Sequence, residues 1–382
     1  MKSLAESAQR LTGQPMFQML ARVQELQKQG RQIIRFEIGD TTFGAHKHIV
    51  EATKRALDEG QTLYANSQGL ISLRSAIADH VKETQGWRPS EEQIVVMPAN
   101  AVIDAVIRCV VNPGEAVVIP DPGFPTYRAV TNYVGLREQF YGQIDKLADA
   151  VTEETRLLIV NSPNNPTGMV LSEEEARAVY EIADKYDVYL LSDEIYSRLV
   201  YEGRHNSPAV YDRCRERTII LNGFSKGYAM SGWRLGYAIG PVEVIKKMTL
   251  LFETMFSCLP PFIQQAGIAA LTERQDVIEE YKERLRRSRD IMVDMLNEVP
   301  GVACEVPAGA IYVFADIKGT GLTAREFADR ALSKAGVAVL PGSNFGPNGE
   351  GYVRLCFARD PKLIKRGGLA LKREFSKIGA VV

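Results

Sequence analysis

A chain of 382 residues, 45% hydrophobic and 24% charged, has the composition of a globular protein and the length for two domains, or for a large one with a smaller companion. A net charge of -1 gives no basic field for nucleic acid and no acidic tail, which directs attention to small-molecule ligands or protein partners. The five cysteines, Cys109, Cys214, Cys258, Cys304 and Cys356, are scattered, odd in number and without C-x-x-C spacing, so neither a disulfide framework nor a zinc site is expected and a reducing cytoplasm fits.

The first residues, Met1 to Ser7, lack an apolar signal region, and no run reaches the ~18 apolar residues of a membrane span. A soluble, unprocessed protein is expected. Residues Leu4 to Gly30 read as an arm and then a helix, with Phe17, Leu20, Val23 and Leu26 at helical spacing. A short strand, Ile33 to Ile38, follows. The next stretch, Gly39 to Lys47, has a glycine-rich look but fails the P-loop pattern, because His46 follows Gly44-Ala45 and no Lys-Ser/Thr pair closes it.

From about residue 92 strands and helices alternate. Ile94 to Met97, Ala116 to Ile119, Leu157 to Val160, Val188 to Leu191, Thr218 to Leu221 and Leu235 to Gly240 are buried-type runs. Between them lie helical stretches, Ala101 to Val111 and Ser172 to Tyr186, the second opened by a capping box of Ser172 and Glu175. Near-continuous apolar strands separated by helices predict an α/β fold whose mostly parallel, doubly wound sheet is covered on both faces. After Pro260-Pro261 one long helix, Phe262 to about Asn297, is expected, then Gly309 to Asp316, a helix from Thr323 to Ala335, and strands Val337 to Leu340 and Tyr352 to Phe357. The predicted organisation is an N-terminal arm and helix (1–38) packed with the small domain, a large domain (39–261) and a small α+β C-terminal domain (262–382).

Ligands of doubly wound sheets sit beyond the carboxyl ends of the strands. Polar clusters fall there: Pro98-Ala99-Asn100-Ala101, Asp121-Pro122-Gly123-Phe124, Asn161 to Pro166, Ser192-Asp193-Glu194-Ile195-Tyr196, and the loop Asn222 to Gly236. That loop holds Lys226 among small residues, with Arg234 eight positions on. A lysine aimed by a tight loop and partly withdrawn from water can act as a nucleophilic amine. Alone it reads as a solvated surface lysine, Asp193 as a cap or surface charge, Tyr196 as core and Asn164 to Gly168 as a turn. Their shared position at one sheet edge, with Arg234, Arg354 and Phe124, points instead to one site.

These residues also carry a family resemblance. Ser-Pro-Asn-Asn-Pro-Thr-Gly at 162–168, Ser-Asp-Glu-Ile-Tyr at 192–196, Gly-Phe-Ser-Lys-Gly-Tyr-Ala-Met-Ser-Gly-Trp-Arg-Leu-Gly at 223–236 and Val-Arg-Leu-Cys-Phe-Ala at 353–358 resemble, in order and spacing, the class I/II aminotransferases of fold type I, which use pyridoxal 5'-phosphate. The resemblance implies transfer of an amino group from an α-amino acid to a 2-oxo acid by a ping-pong mechanism. It implies that Lys226 forms the internal aldimine and moves the substrate proton, that Asp193 pairs with the pyridine nitrogen, and that Tyr196 and Asn165 bond the ring's 3' oxygen. Phe124 would stack on the ring. Arg234, Ser225 and the segment Ala99-Asn100-Ala101 at a helix N-terminus would hold the phosphate. Arg354 would clamp the substrate α-carboxylate, with Gly39 presenting backbone beside it. Tyr64 would reach the neighbouring subunit's cofactor, which implies a homodimer with shared sites.

Two departures from the family pattern stand out: Gly223 lies where a phosphate-binding hydroxyl is common, and Pro98 and Ala101 replace a glycine and a polar residue in the phosphate turn, which shifts load to Asn100. A carbon-sulfur β-lyase of the same fold is the alternative activity. A non-catalytic cofactor-binding regulator is a third, disfavoured because about 35 residues precede the fold and contain no basic helix-turn-helix. Met248 to Glu273 contains no Arg or Lys to meet a second substrate carboxylate, so a neutral or hydrophobic donor side chain is expected unless Arg22, Arg35 or Lys47 serves. His46 and His48 are expected to be satisfied surface residues.

Overall fold

The computed structural model describes residues 2–377. Its strands are β1 (Ile34–Arg35), β2 (Ile94–Val96), β3 (Ala116–Pro120), β4 (Arg137–Tyr141), β5 (Thr155–Asn161), β6 (Tyr189–Asp193), β7 (Thr218–Gly223), β8 (Gly236–Ile239), β9 (Tyr312–Asp316), β10 (Val337–Ala338), β11 (Leu340–Pro341) and β12 (Tyr352–Cys356). Seven form one sheet in the order β2-β8-β7-β6-β5-β3-β4. Only β8 runs against its neighbours β2 and β7; β3 to β7 pair in parallel. The order turns back between β3 and β5, so the loops leaving these strands diverge and open a crevice at their carboxyl ends.

Apolar runs fit this sheet because its inner strands pack on both faces, while the edge strand β4 is partly exposed. Val117, Ile119, Leu157 and Ile159 join one core, while Val118, Leu158 and Val160 join a second with Val179 and Ala183 of the Glu173–Lys185 helix. The Ser172 hydroxyl accepts from the Glu175 N–H, and the Glu175 side chain bonds back, so the expected capping box is formed.

The smaller unit is an antiparallel sheet, β11-β12-β9, beside the parallel pair of β1 with β10. Its core includes Val313, Leu355, Phe357 and Phe375, and it takes Tyr196 and Leu199 from the segment after β6. The N-terminal helix Pro15–Lys28 joins this unit, burying Met19 and Val23 against Leu332, Ala338, Leu340 and Phe345.

Three sequence expectations are corrected. The strand expected over Ile33 to Ile38 is a ladder of only two residues, because other donors claim the carbonyls beyond it: Cys356 N–H takes Phe36 O at 2.8 Å, Arg354 takes Glu37 O at 2.7 Å and Arg359 takes Ile38 O at 2.7 Å. The long helix after Pro261 is two helices, Pro261–Thr272 and Asp276–Asn297. Between them Gln275 folds back, donating from Nε2 to the carbonyls of Ala270 at 2.8 Å and Glu273 at 3.1 Å, which satisfies the end of the first helix. Two helices not expected from the sequence, Lys47–Asp58 and Ile71–Gln85, flank the large sheet. The second of the long pair serves both units: Val277 and Ile278 lie in the large core, Leu285 to Leu296 in the smaller one.

Candidate active site

The carboxyl ends of β3, β5, β6 and β7 and the inner edge of the smaller sheet enclose a cavity of about 440 Å³. It is lined by Gly39, Ala99, Asn100, Phe124, Asn165, Asp193, Tyr196, Ser225, Lys226, Arg234 and Arg354, eleven of the thirteen residues expected at the site. Ala101 and Tyr64 are not among them. The Ala101 N–H is already donated to Pro98 O at 2.8 Å, leaving those of Ala99 and Asn100 at the helix end, and the Tyr64 side chain stands 89% exposed.

Asp193 ends β6 with its carboxyl buried. Tyr127 donates to Oδ2 at 2.6 Å and the Ile195 N–H to Oδ1 at 3.1 Å. Burial raises its pKa from 3.8 to about 6; these two bonds oppose the rise and the neighbouring Glu194 adds to it. The Tyr127 phenol is pushed far up, by burial first and by Asp193 second, so it remains a donor. Glu194 points away into a network of its own, accepting from Ser192 at 3.0 Å, from Gln85 at 3.0 Å and from Ser207, and meeting His205 Nε2 at 2.9 Å. Burial works to raise Glu194, but His205 and the hydroxyl donors outweigh it and hold the carboxyl below its ordinary value.

Asn161, at the end of β5, clamps the turn that follows: its Nδ2 donates to Asp193 O at 3.0 Å and its Oδ1 accepts from the Asn165 N–H at 2.8 Å. Asn165 Oδ1 in turn accepts from Arg354 Nη1 at 3.0 Å. Arg354 is 2% exposed and packs with its guanidinium carbon 4.1 Å from the centre of the Tyr312 ring and 4.8 Å from that of Phe345. Its Nε has no partner among the described residues. A buried, ring-flanked guanidinium that lines the cavity suits a planar anion.

Lys226 follows β7 by three residues and donates from Nζ to Gly39 O at 2.5 Å. The loop returns through Arg234, whose backbone is left-handed (φ 58°), into β8, where Gly236 pairs with Gly223. Gly236 must stay small, since a Cβ there would stand 2.8 Å from the Ala99 nitrogen. That close approach brings Arg234 and the N-terminus of the Ala99–Val110 helix, two anion-attracting groups, to one cavity.

The charges considered for a second substrate carboxylate lie elsewhere. Arg22 pairs with Asp329, Arg35 with Glu37 and Lys47 with Glu51, and none lines the cavity. His46 and His48 face each other, Nδ1 to Nδ1, at 2.7 Å outside it. Tyr127, Tyr312 and the wall formed by Gln14, Met16 and Phe17 were not expected at the site, and Asn161, expected only as part of a strand-end cluster, proves to clamp the turn. Tyr127 had a signal, lying one helical turn after Phe124; the others had none beyond residue type.

A cofactor with a phosphate and a cationic ring nitrogen fits these groups: the helix end and Arg234 suit the phosphate, and the acceptor Oδ atoms of Asp193 suit a ring N–H. Among the described residues no cluster could hold a metal ion and no helix is long and apolar enough to cross a membrane.

Residues 31–367 match the family described as aminotransferase class I and II. The chain is 38% identical over 338 residues to the aspartate aminotransferase of Pyrococcus horikoshii, covering 85% of this chain and 86% of that one. It is 36% identical over 349 residues to the arginine–pyruvate transaminase AruH of Pseudomonas aeruginosa, covering 89% and 88%. The solved structure of Thermus thermophilus aspartate aminotransferase with maleate superposes with a TM-score of 0.93 at 32% identity, covering 98% of this chain and all of the other.

Proposed function

The chain belongs to the class I and II aminotransferases, and from that premise we propose that it works by a ping-pong mechanism with pyridoxal 5'-phosphate, the cofactor this family uses, held in the cavity at Lys226. The observation that carries the reading is the meeting of Lys226, Asp193, Asn165 and Arg354 in one cavity from four separate stretches of chain. When bound, the cofactor supplies an electron sink for the pair left as the substrate Cα–H bond breaks. The protein's residues do the rest. Arg354 holds the α-carboxylate with the face of Tyr312 beneath it, and Asn165 fixes the guanidinium. Lys226 Nζ, released from Gly39 O, takes the Cα proton. Asp193, kept in place by Tyr127, keeps the ring nitrogen protonated by offering it an anionic partner. With the cofactor bound, Phe124 would pack on its ring, Tyr196 and Asn165 would bond its 3' oxygen, and Arg234, Ser225 and the N–H groups of Ala99 and Asn100 would hold its phosphate; all of them line the cavity.

The donor, in this reading, has a neutral or hydrophobic side chain. Arg234, Lys226 and Arg354 are the cavity's cations and each is committed, while Met16, Phe17, Ile38 and Ile103 line the remaining wall. A homodimer is part of the same proposal: Leu63, Tyr64, Met255 and Phe256 are each at least 62% exposed, and the 63–67 loop is tied to the end of the Val242–Phe256 helix by Ser67 to Glu253 and by the Ala65 N–H to Cys258, which groups these side chains for a second copy to cover. A cytoplasmic location is consistent with five free cysteines.

The test is a half-reaction. The cofactor-loaded protein mixed with one amino acid should release one 2-oxo acid per subunit and stop until a different 2-oxo acid is added. Continuous release of pyruvate and ammonia from a cysteine conjugate without an acceptor would show the β-lyase instead.

A further inference from the structure

Tyr312 lines the cavity and touches Arg354, Tyr196 and Gly39 at once, yet its hydroxyl has no part in the steps above. It opens β9, two residues before Phe314, which pairs with Arg354 of β12. Side chains two apart share a face of a strand, so the pairing sets Tyr312 diagonally beside Arg354 and accounts for the guanidinium lying 4.1 Å from its ring centre. The phenol is 3% exposed and its oxygen stands 2.9 Å from the Tyr196 hydroxyl. It also rests on Gly39, where a Cβ would come within 1.8 Å of it; the Gly39 carbonyl is the one that receives Lys226 Nζ. The charged and titratable groups around the hydroxyl are therefore Tyr196 and Arg354, with Lys226 and Asp40 across Gly39, and Asp193 behind Tyr196.

We propose that Tyr312 is a positioning residue with two separable parts: its hydroxyl orients the Tyr196 proton toward the cofactor's 3' oxygen, and its ring fixes the plane of Arg354. Each phenol has a single O–H. Once Tyr196 spends its proton on the cofactor's oxygen, the 2.9 Å contact can persist only with Tyr312 as donor and Tyr196 as acceptor. A phenol that accepts one hydrogen bond donates a stronger one, so Tyr312 sharpens the pull of Tyr196 on that oxygen. Drawing density from the 3' oxygen weakens its hold on the proton of the lysine-bound cofactor's nitrogen and favours loss of that proton at lower pH. As for the ring, a guanidinium flanked by aromatic faces keeps its fork in one plane.

This inference rests on the cofactor reading above, and the experiment separates the two. The visible absorbance of the cofactor-loaded protein is titrated with pH in wild type, Tyr312→Phe and Tyr312→Leu, beside KM for the amino donor and thermal stability. Phenylalanine keeps the ring and removes the hydroxyl; it should move the spectral midpoint upward by a few tenths of a pH unit and leave KM within about twofold. Leucine should move the midpoint likewise and also raise KM roughly 3- to 30-fold through loss of the cation–π contact. If wild type titrates and Tyr312→Phe titrates identically at equal stability, the hydroxyl role is overturned. An unchanged KM in a folded Tyr312→Leu protein overturns the ring role. A wild type that forms no lysine-bound visible species defeats the cofactor reading itself, and this inference with it.

Discussion

Arg354 Nη1 and Asn165 Oδ1 are hydrogen-bonded at 3.0 Å across the junction of the two sheets, although 189 residues separate them in the chain. The group proposed to bind the substrate carboxylate is thereby fixed to a side chain proposed to touch the cofactor. Arg354→Lys replaces a planar fork by a point charge and abandons Asn165 or Glu37 O. Hydrogen bonds to charged groups contribute about 1.5–3 kcal/mol, so KM for the amino donor should rise by roughly 10- to 100-fold in steady-state assays.

Asp193 makes the cofactor-free protein pH-sensitive in a defined direction. Its carboxyl titrates near 6 when folded against an ordinary value of 3.8, so between those values the folded state binds more proton than the unfolded state. Stability from this group is then fully present below about 4 and is lost as pH rises through about 6. Asp193→Asn should make the cofactor-free protein more stable than wild type at pH 7, with the difference vanishing near pH 4 in melting experiments. In the loaded enzyme the same change should lower kcat by about 10²- to 10³-fold, the usual loss when a placed electrostatic partner is removed.

His205 shields a buried charge. Glu194 is 0% exposed, and His205 with Ser192, Ser207 and Gln85 keeps it ionised. His205→Ala leaves a buried carboxylate short of its main partner and should cost about 3–5 kcal/mol in urea unfolding, with much of the loss recovered in the double variant carrying Glu194→Gln. Losses of the His205→Ala and Glu194→Gln single variants that simply add in the double variant would show that the two side chains act independently.

The parts of the fold that can be read from the sequence are those where one physical signal dominates. Strands β3, β5, β6 and β7 pack on both faces, so their apolar runs stand out, and the Ser172 capping box marks a helix start directly. Boundaries set by distant partners cannot be read locally: the break at Gln275 depends on where one side chain folds back, and the shortness of β1 depends on arginines more than 300 residues away. The same division holds in the site. Loop residues such as Lys226 and Asn165 advertise themselves by composition. Tyr312 sits in a strand of alternating bulky residues and looks like core until the pairing with β12 shows its hydroxyl meeting Tyr196. Ala101 shows the converse, a residue placed at the helix start whose N–H proves to be used within the turn.

The most direct measurement is the visible spectrum of purified protein loaded with pyridoxal 5'-phosphate, in wild type and Lys226→Ala, before and after borohydride reduction. A covalent bond at Lys226 predicts a pH-dependent visible band in wild type that reduction fixes to the peptide containing Lys226, and no such band in the variant. A variant that keeps the band, or a reduced label found on another lysine, would contradict the assignment of Lys226 on which the mechanism depends.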